Sequence, residues 1–196
     1  MTGLFDDAIN NIVSQMEQNS FLKTFFPLRY GRAERHVRYE GNKKIVVPAV
    51  YVGEGEYIDV RPHDTANSSF WYIHDGQQIV DSKQCSRVEM KATVSVVFWY
   101  RLSVDERNTD MIKSRLIYFL NNISIPDAEF TVRRVYENVE SVFKDYTVND
   151  GNVLPYLMHP YAGLRIEGEM KVRQGCVSFP DMRERDFNND YNKDFD

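Results

Sequence analysis

Hydrophobic side chains at the start of the chain recur every three or four residues, the spacing that places them on one side of a helix. Asp6 and Asp7 lie off this stripe, at the end where the helix dipole favours negative charge. The pattern predicts an amphipathic helix of about four turns. The stripe consists of Leu4, Phe5, Ala8, Ile9, Ile12, Val13 and Met16.

The following part of the chain, as far as residue 100, contains short runs rich in β-branched and aromatic residues, which predict strands. Before these runs, residues 21–27 are apolar but aperiodic, and Pro27 favours a loop. Pro48 predicts that its strand lies at an edge or contains a bulge. The last run is hydrophobic on both faces and predicts a central strand covered on both sides. The runs are residues 43–52, 57–60, 69–73, 77–80 and 91–100.

Beyond residue 108 the hydrophobic period lengthens again, which predicts a second helix. Asn108 or Thr109 is the expected N-cap. Residues 130–136 return to the strand pattern, and residues 140–146 fit either a short helix or an extended connection. The stripe of the second helix consists of Met111, Ile112, Arg115, Leu116, Phe119 and Leu120.

Residues 164–173 alternate strictly between hydrophobic and charged side chains, the pattern of a half-buried strand. One face should join the core, and the other should meet solvent or a polar partner. Glu167 and Glu169 lie on the charged face and could pair as a general acid and base. Because basic residues alternate with them, we favour a solvated ladder of mutually neutralising charges. The charged face consists of Arg165, Glu167, Glu169, Lys171 and Arg173.

The order of these elements predicts an α+β fold. We expect an N-terminal helix, a mainly antiparallel sheet with a second helix packed on it, and an extended polar C-terminal tail. A length of 196 residues suits one domain, which we place at residues 1–176, with an interaction tail at residues 177–196.

Composition narrows the class of protein. A hydrophobic content of 42% excludes global disorder. No apolar run approaches the roughly 20 residues of a membrane helix, and the N-terminus lacks the pattern of a signal peptide. Cys85 and Cys176 fit neither a CxxC site nor a disulfide framework, which favours two reduced thiols in a cytoplasmic protein.

Charge is distributed unevenly along the chain. The formal net charge is −5, yet residues 29–44 carry six basic and two acidic side chains. Residues 177–196 carry six acidic and three basic side chains. Opposite signs permit head-to-tail attraction between copies, although two solvated surfaces would show the same pattern. The arginines proposed for such an interface are Arg29, Arg32, Arg35 and Arg38.

The tail is polar but contains Phe187, Tyr191 and Phe195 at four-residue intervals. A segment too polar to build its own core, with one aromatic row, is suited to docking on a partner. Packing on its own domain and plain disorder remain the alternatives. We therefore add these three aromatic residues to the proposed interface.

Residues 29–44 also interleave basic side chains with Tyr30 and Tyr39, a combination that serves phosphate contact and base stacking. The stretch is short and the whole protein is acidic. An acidic protein neighbour is therefore favoured over direct contact with nucleic acid.

Candidate catalytic and metal-binding residues are few. His63-Asp64 and His74-Asp75 could form an acid–base or metal site only if both pairs converged, and both are also ordinary turn sequences. There is no G-x-S-x-G motif and no signature of an activated thiolate. We therefore predict no enzymatic activity, no metal and no cofactor. The histidines are His36, His63, His74 and His159.

The segment Tyr-Leu-Met-His-Pro-Tyr-Ala-Gly-Leu-Arg-Ile at residues 156–166 resembles the closing strand of tailed-phage neck proteins, of the tail-terminator or head–tail connector type. The order of elements over residues 4–173 resembles these proteins too. The resemblance implies a small α+β subunit that assembles as a ring in the virion neck or tail. It implies no catalytic residue.

From this resemblance we expect a virion protein made in the host cytoplasm. Its partners would be further copies and other neck or tail proteins, with possible non-specific contact to DNA in the channel. The alternative is a monomeric α+β module, or a small enzyme, with a ligand pocket between sheet and helix.

Overall fold

The computed structural model describes residues 3–62, 66–74, 76, 78–81, 88–102, 109–147, 157 and 159–174. Within these residues the helices are α1 (Leu4–Gln18), α2 (Ser20–Phe25), α3 (Thr109–Asn122) and α4 (Val139–Val142). The strands are β1 (Leu28–Arg32), β2 (Glu34–Glu40), β3 (Lys43–Gly53), β4 (Glu56–Asp59), β5 (Ser68–Ile73), β6 (Gln78–Asp81), β7 (Val88–Arg101), β8 (Ala128–Tyr136) and β9 (Tyr161–Gln174). The α+β fold class is confirmed.

The main sheet has the strand order β1-β5-β7-β9-β8, with β6 pairing to β7 beyond the end of β5. Only β1 and β5 pair in parallel, so the expected antiparallel character is also confirmed. Strand β7 is central, as predicted, and pairs with β9 from Val88↔Gln174 to Arg101↔Tyr161.

Each face of the main sheet carries its own hydrophobic core. Helices α1, α2 and α3 cover the first face, where Val96 and Phe98 of β7 and Ile166 of β9 are buried. On the opposite face Trp99 of β7 packs with aromatic residues of β5 and with Phe143, which follows α4. Burial on both faces explains why β7 is hydrophobic without strict alternation.

A second sheet of order β2-β3-β4 lies over the second core. Val46 and Val50 of β3 pack against that core. Of the two alternatives predicted from Pro48, the edge strand is wrong, because β3 lies between β2 and β4. The other alternative, a bulge, agrees with the register shift between Tyr51 and Gly53 in the pairing of β3 with β4. The proline is tolerated because its missing N–H is not needed for strand pairing. At this point of β3, Val46 exchanges hydrogen bonds with Thr147, and the Pro48 carbonyl accepts from the Val60 N–H, which follows β4.

The loop expected at residues 21–27 is partly wrong, because residues 20–25 form α2. The Asn19 side chain accepts a hydrogen bond of 3.1 Å from the Leu22 N–H and so caps the helix. Leu22 is buried in the first core. A helix this short shows too little periodicity to be recognised from sequence.

The ambiguous region at residues 140–146 contains the one-turn helix α4. The predicted C-terminal tail, both cysteines and His63 lie outside the described residues.

Candidate functional site

A cavity of about 430 Å³ lies where the two sheets meet, on the side of the second core. It is bounded by the junction of β1 and β2, by the end of β5 and by the residues that follow α4. Its walls are mainly polar. The lining residues are Arg32, Ala33, Glu34, Arg35, Tyr72, Ile73, His74, Asp145 and Tyr146.

Two buried polar atoms of the cavity wall have no hydrogen-bond partner among the described residues. They are the hydroxyl of Tyr146, a residue only 7% exposed, and Oδ2 of Asp145. Burial raises the pKa of Tyr146, with smaller contributions from Tyr72 and Asp145. The hydroxyl therefore stays protonated and can donate. Because unpaired buried polar groups cost free energy, this cavity favours a polar occupant.

The imidazole of His74 lies between two carboxylates. Its Nε2 is 2.8 Å from the Ser95 hydroxyl oxygen and 3.7 Å from Oε2 of Glu167. Its Nδ1 is 3.9 Å from Oδ2 of Asp145. Burial lowers the pKa of His74, because desolvation of the charged form outweighs the attraction of Glu167 and Asp145.

Ser95, His74 and Asp145 are placed relative to one another as in a serine hydrolase triad, because Nε2 of His74 faces the serine and Nδ1 faces the aspartate. Two observations argue against this chemistry. Ser95 is 0% exposed, so a substrate cannot reach its hydroxyl in this conformation. The 3.9 Å between His74 and Asp145 is too long for the hydrogen bond that orients the base. The arrangement is better described as a buried polar network.

Arg165 is the centre of that network. It is 2% exposed, its Nη1 donates to the Tyr72 hydroxyl at 2.9 Å, and its guanidinium carbon lies 4.2 Å from the ring centre of Tyr136. Its Nη2 is 3.8 Å from Oε2 of Glu167. The sheet register brings Tyr72, Ser95 and Glu167 side by side across three strands.

The predicted solvated charge ladder on β9 is therefore wrong at its first position. Arg165 is buried because the side chains of Tyr72 and Tyr136 lie against its guanidinium and α4 packs on β9. Further along, Glu169 is 3.8 Å from Lys171 and 3.6 Å from Arg133, as a ladder requires. Sequence reasoning missed the network because its members come from β5, β7, β8 and β9, which only the register brings together.

The arginines of residues 29–44 are largely neutralised within the chain. Arg29 is 3.7 Å from Glu17, Arg32 is 3.3 Å from Asp6, and Arg38 is 3.1 Å from Asp59. Arg29 is also mostly buried, with its guanidinium on main-chain carbonyls of α2. Arg35 lies at the cavity without a partner of this kind among the described residues.

Exposed hydrophobic side chains are concentrated on the small sheet. Among the described residues, five of the seven large exposed hydrophobic side chains lie on β2, β3 and β4. The register places Val37, Tyr39 and Ile58 on the face that carries Val46 and Val50. We call these three residues the exposed sheet face. It continues the apolar surface of the second core outward into solvent.

Phe187, Tyr191 and Phe195 lie outside the described residues, as do His63, Asp64 and Asp75. Within the described ranges, no group of three or more histidine, cysteine or acidic side chains is arranged to hold a metal ion. In the same part of the chain, no helix combines the length and apolar character needed to cross a membrane.

No protein-family model matches the sequence, and no curated protein matches it either. The function is therefore inferred from the surfaces described above.

Proposed function

We propose that this protein is a structural subunit of a tailed-phage virion neck or tail, which assembles as a ring around the DNA channel. The exposed sheet face is the observation that carries the proposal. Tyr39 is 71% exposed and Ile58 is 50% exposed, on a sheet whose same face is apolar where it meets the core. Exposed hydrophobic side chains that extend such an apolar face favour protein–protein contact.

The sequence resemblance supports the same class of protein, and so does the position of the polar side chains. The strongest polar cluster, around Arg165, is buried and connects strands instead of facing solvent. In a ring, each subunit uses two different surfaces that fit each other. The exposed sheet face would supply one of them. The charge of Arg35 and Lys44 beside it could contact DNA non-specifically.

Size-exclusion chromatography with light scattering, over a range of protein concentrations, tests this proposal, and negative-stain microscopy would show a ring directly. We expect a closed oligomer for the full chain and dissociation in Tyr39→Asp. Tyr51→Asp is the matched control, because Tyr51 is also exposed, at 52%, but faces the other side of the same sheet. A monomer at every concentration would reject the proposal.

A second candidate is a small-molecule-binding module, favoured by the unpartnered Tyr146 hydroxyl and Asp145 Oδ2 in the cavity. Arg35 and Tyr146 could bind a carboxylate while Asp145 accepts from an amine or hydroxyl. A cavity of about 430 Å³ is large enough for an amino acid or hydroxy acid.

Thermal-shift and calorimetric titrations with a panel of amino acids and glycolate test this candidate. Binding should be weakened by Tyr146→Phe and unaffected by Tyr118→Phe, which lies elsewhere on the surface. The absence of any heat or thermal shift at millimolar ligand would reject it.

A further inference from the structure

An apolar groove runs between α3 on one side and α1 and α2 on the other. Its volume is about 680 Å³. Phe21 and Phe119 are half-buried in its walls, and Tyr118 on its rim is 72% exposed. The remaining lining residues are Gln15, Asn19, Ser20, Leu22, Met111, Ser114, Arg115, Asn122 and Ile123.

The groove is electrostatically one-sided. None of its lining residues is acidic, and Arg115 lies with its guanidinium carbon 4.6 Å from the ring centre of Phe21. Arg115 is exposed, and no carboxylate among the described residues forms an ion pair with it. A ligand that combines aromatic side chains with carboxylates would complement this surface.

The chain itself contains such a ligand. In the tail, Phe187, Tyr191 and Phe195 are each directly preceded by an aspartate, at residues 186, 190 and 194. In a helix, this four-residue spacing would place the three aromatic side chains on one side and the aspartates in a parallel row beside them. Amphipathic segments bind apolar grooves through anchors with this spacing.

We propose that the groove between α1–α2 and α3 binds residues 186–196 of a second copy of the chain. This inference rests on the proposed ring assembly and names one of its contacts. Groove and tail are different surfaces, so their contact is head-to-tail and can close a ring. Residues 175–185 separate the end of β9 from the aromatic row and could span roughly 35 Å if extended.

The groove is a better receptor for the tail than the basic residues 29–44. In that stretch Arg29, Arg32 and Arg38 are already paired with acidic side chains of the same chain. A second set of carboxylates would have to displace those pairs. Arg115 has no such competitor among the described residues, and the groove also provides apolar area for the three aromatic rings.

The experiment uses the full-length chain with the photo-crosslinker p-benzoylphenylalanine in place of Tyr191. After irradiation, we expect a covalent dimer whose crosslinked peptide, identified by mass spectrometry, contains residues from 111 to 123 or from 15 to 22. A crosslink to residues 29–44, or to any other surface, would overturn the groove as the receptor. A crosslink to the groove within a monomer band would overturn the second copy as the donor.

Two variants test the contact without the crosslinker. Tyr118→Ser removes the exposed rim of the groove and should weaken self-association about tenfold, as expected for loss of one aromatic anchor. Tyr51→Ser is the control, as a similarly exposed tyrosine outside the groove. Equal effects of both variants would reject the inference. An oligomer that persists unchanged in Tyr118→Ser would also reject it while leaving the ring proposal intact, whereas a wild-type monomer would reject the ring itself.

Discussion

Arg165 of β9 donates a hydrogen bond of 2.9 Å to the hydroxyl of Tyr72 on β5, in an interior where Arg165 is 2% exposed. The two strands are not neighbours, because β7 lies between them. The bond therefore ties β9 to β5 across the second face of the sheet. A buried guanidinium is costly unless its charge is compensated. Here Tyr72 accepts from Nη1, Glu167 places a carboxylate oxygen 3.8 Å from Nη2 and the Tyr136 ring lies against the guanidinium, while Nε has no hydrogen-bond partner among the described residues.

This bond predicts that two tyrosines in ring contact, Tyr72 and Tyr146, contribute differently to the free energy of unfolding. Tyr72→Phe removes the acceptor from a buried charged donor and should lower the free energy of unfolding by about 1–3 kcal/mol. Tyr146→Phe removes a buried hydroxyl without a hydrogen-bond partner in the described part of the chain, and should change the free energy of unfolding by less than about 0.5 kcal/mol or raise it. Urea denaturation of both variants measures the difference.

The two substitutions are matched, because both delete one oxygen from buried tyrosines whose rings are 5.6 Å apart. Loss of packing is therefore the same in each variant. If Tyr146→Phe cost as much as Tyr72→Phe, the Tyr146 hydroxyl would have a partner such as a bound water or ligand. The polar cavity would then be occupied in solution.

Sequence patterns were sufficient to predict the elements whose hydrophobic pattern extends over ten or more residues. The stripe from Leu4 to Met16 predicts α1, and the hydrophobic run to residue 100 predicts the central position of β7. The burial of Arg165 could not be predicted, since alternation assigns it to a polar face and does not identify what covers that face. Its partner Tyr72 is 93 residues away in the chain. Only the pairing of β5, β7 and β9 connects them.

His74 should make the fold sensitive to acid. Its pKa is lowered in the folded protein, so the unfolded chain takes up the proton first as the pH falls below about 6.5. The free energy of unfolding should therefore decrease as the pH falls through about 6.5, until the pH passes the lower folded-state pKa. In His74→Gln this decrease should be smaller.

Denaturation midpoints at a series of pH values measure the His74 effect. His36→Gln is the control, because His36 lies on β2 in ring contact with Tyr57, away from the polar network. A pH dependence that is identical in wild type and His74→Gln would show that other groups, such as the carboxylates, account for the acid sensitivity.

Substitutions of Arg29 and Arg35 should have different effects: the first should lower the stability of the fold, and the second should leave the stability unchanged. The Arg29 guanidinium donates to the carbonyls of Lys23 and Phe26 at the end of α2 and is mostly buried. Arg29→Met should therefore lower the free energy of unfolding by about 1–3 kcal/mol. Arg35→Met should change it by less than about 0.5 kcal/mol, because the side chain is exposed.

Thermal denaturation and light scattering on both arginine variants test this division. Weakened oligomers in Arg35→Met, with unchanged stability, would retain Arg35 as an interface residue. If Arg29→Met were as stable as wild type, the capping role of Arg29 at α2 would be wrong.

Gly168 occupies a position on β9 where no side chain fits. A Cβ atom there would lie 2.5 Å from Cζ of Phe130 and 2.6 Å from the main-chain oxygen of Thr131, both on the neighbouring strand β8. The main-chain oxygen cannot move without breaking the β8–β9 ladder. Gly168→Ala should therefore lower the free energy of unfolding by about 1–3 kcal/mol.

Gly31→Ala is the comparison, because its Cβ would meet only the Asn10 side-chain oxygen, at 3.0 Å, which can turn away. Urea denaturation should show the larger loss at Gly168. Equal losses would mean that β8 can shift to accommodate the methyl group, so that the close approach of the two strands is not required by the fold.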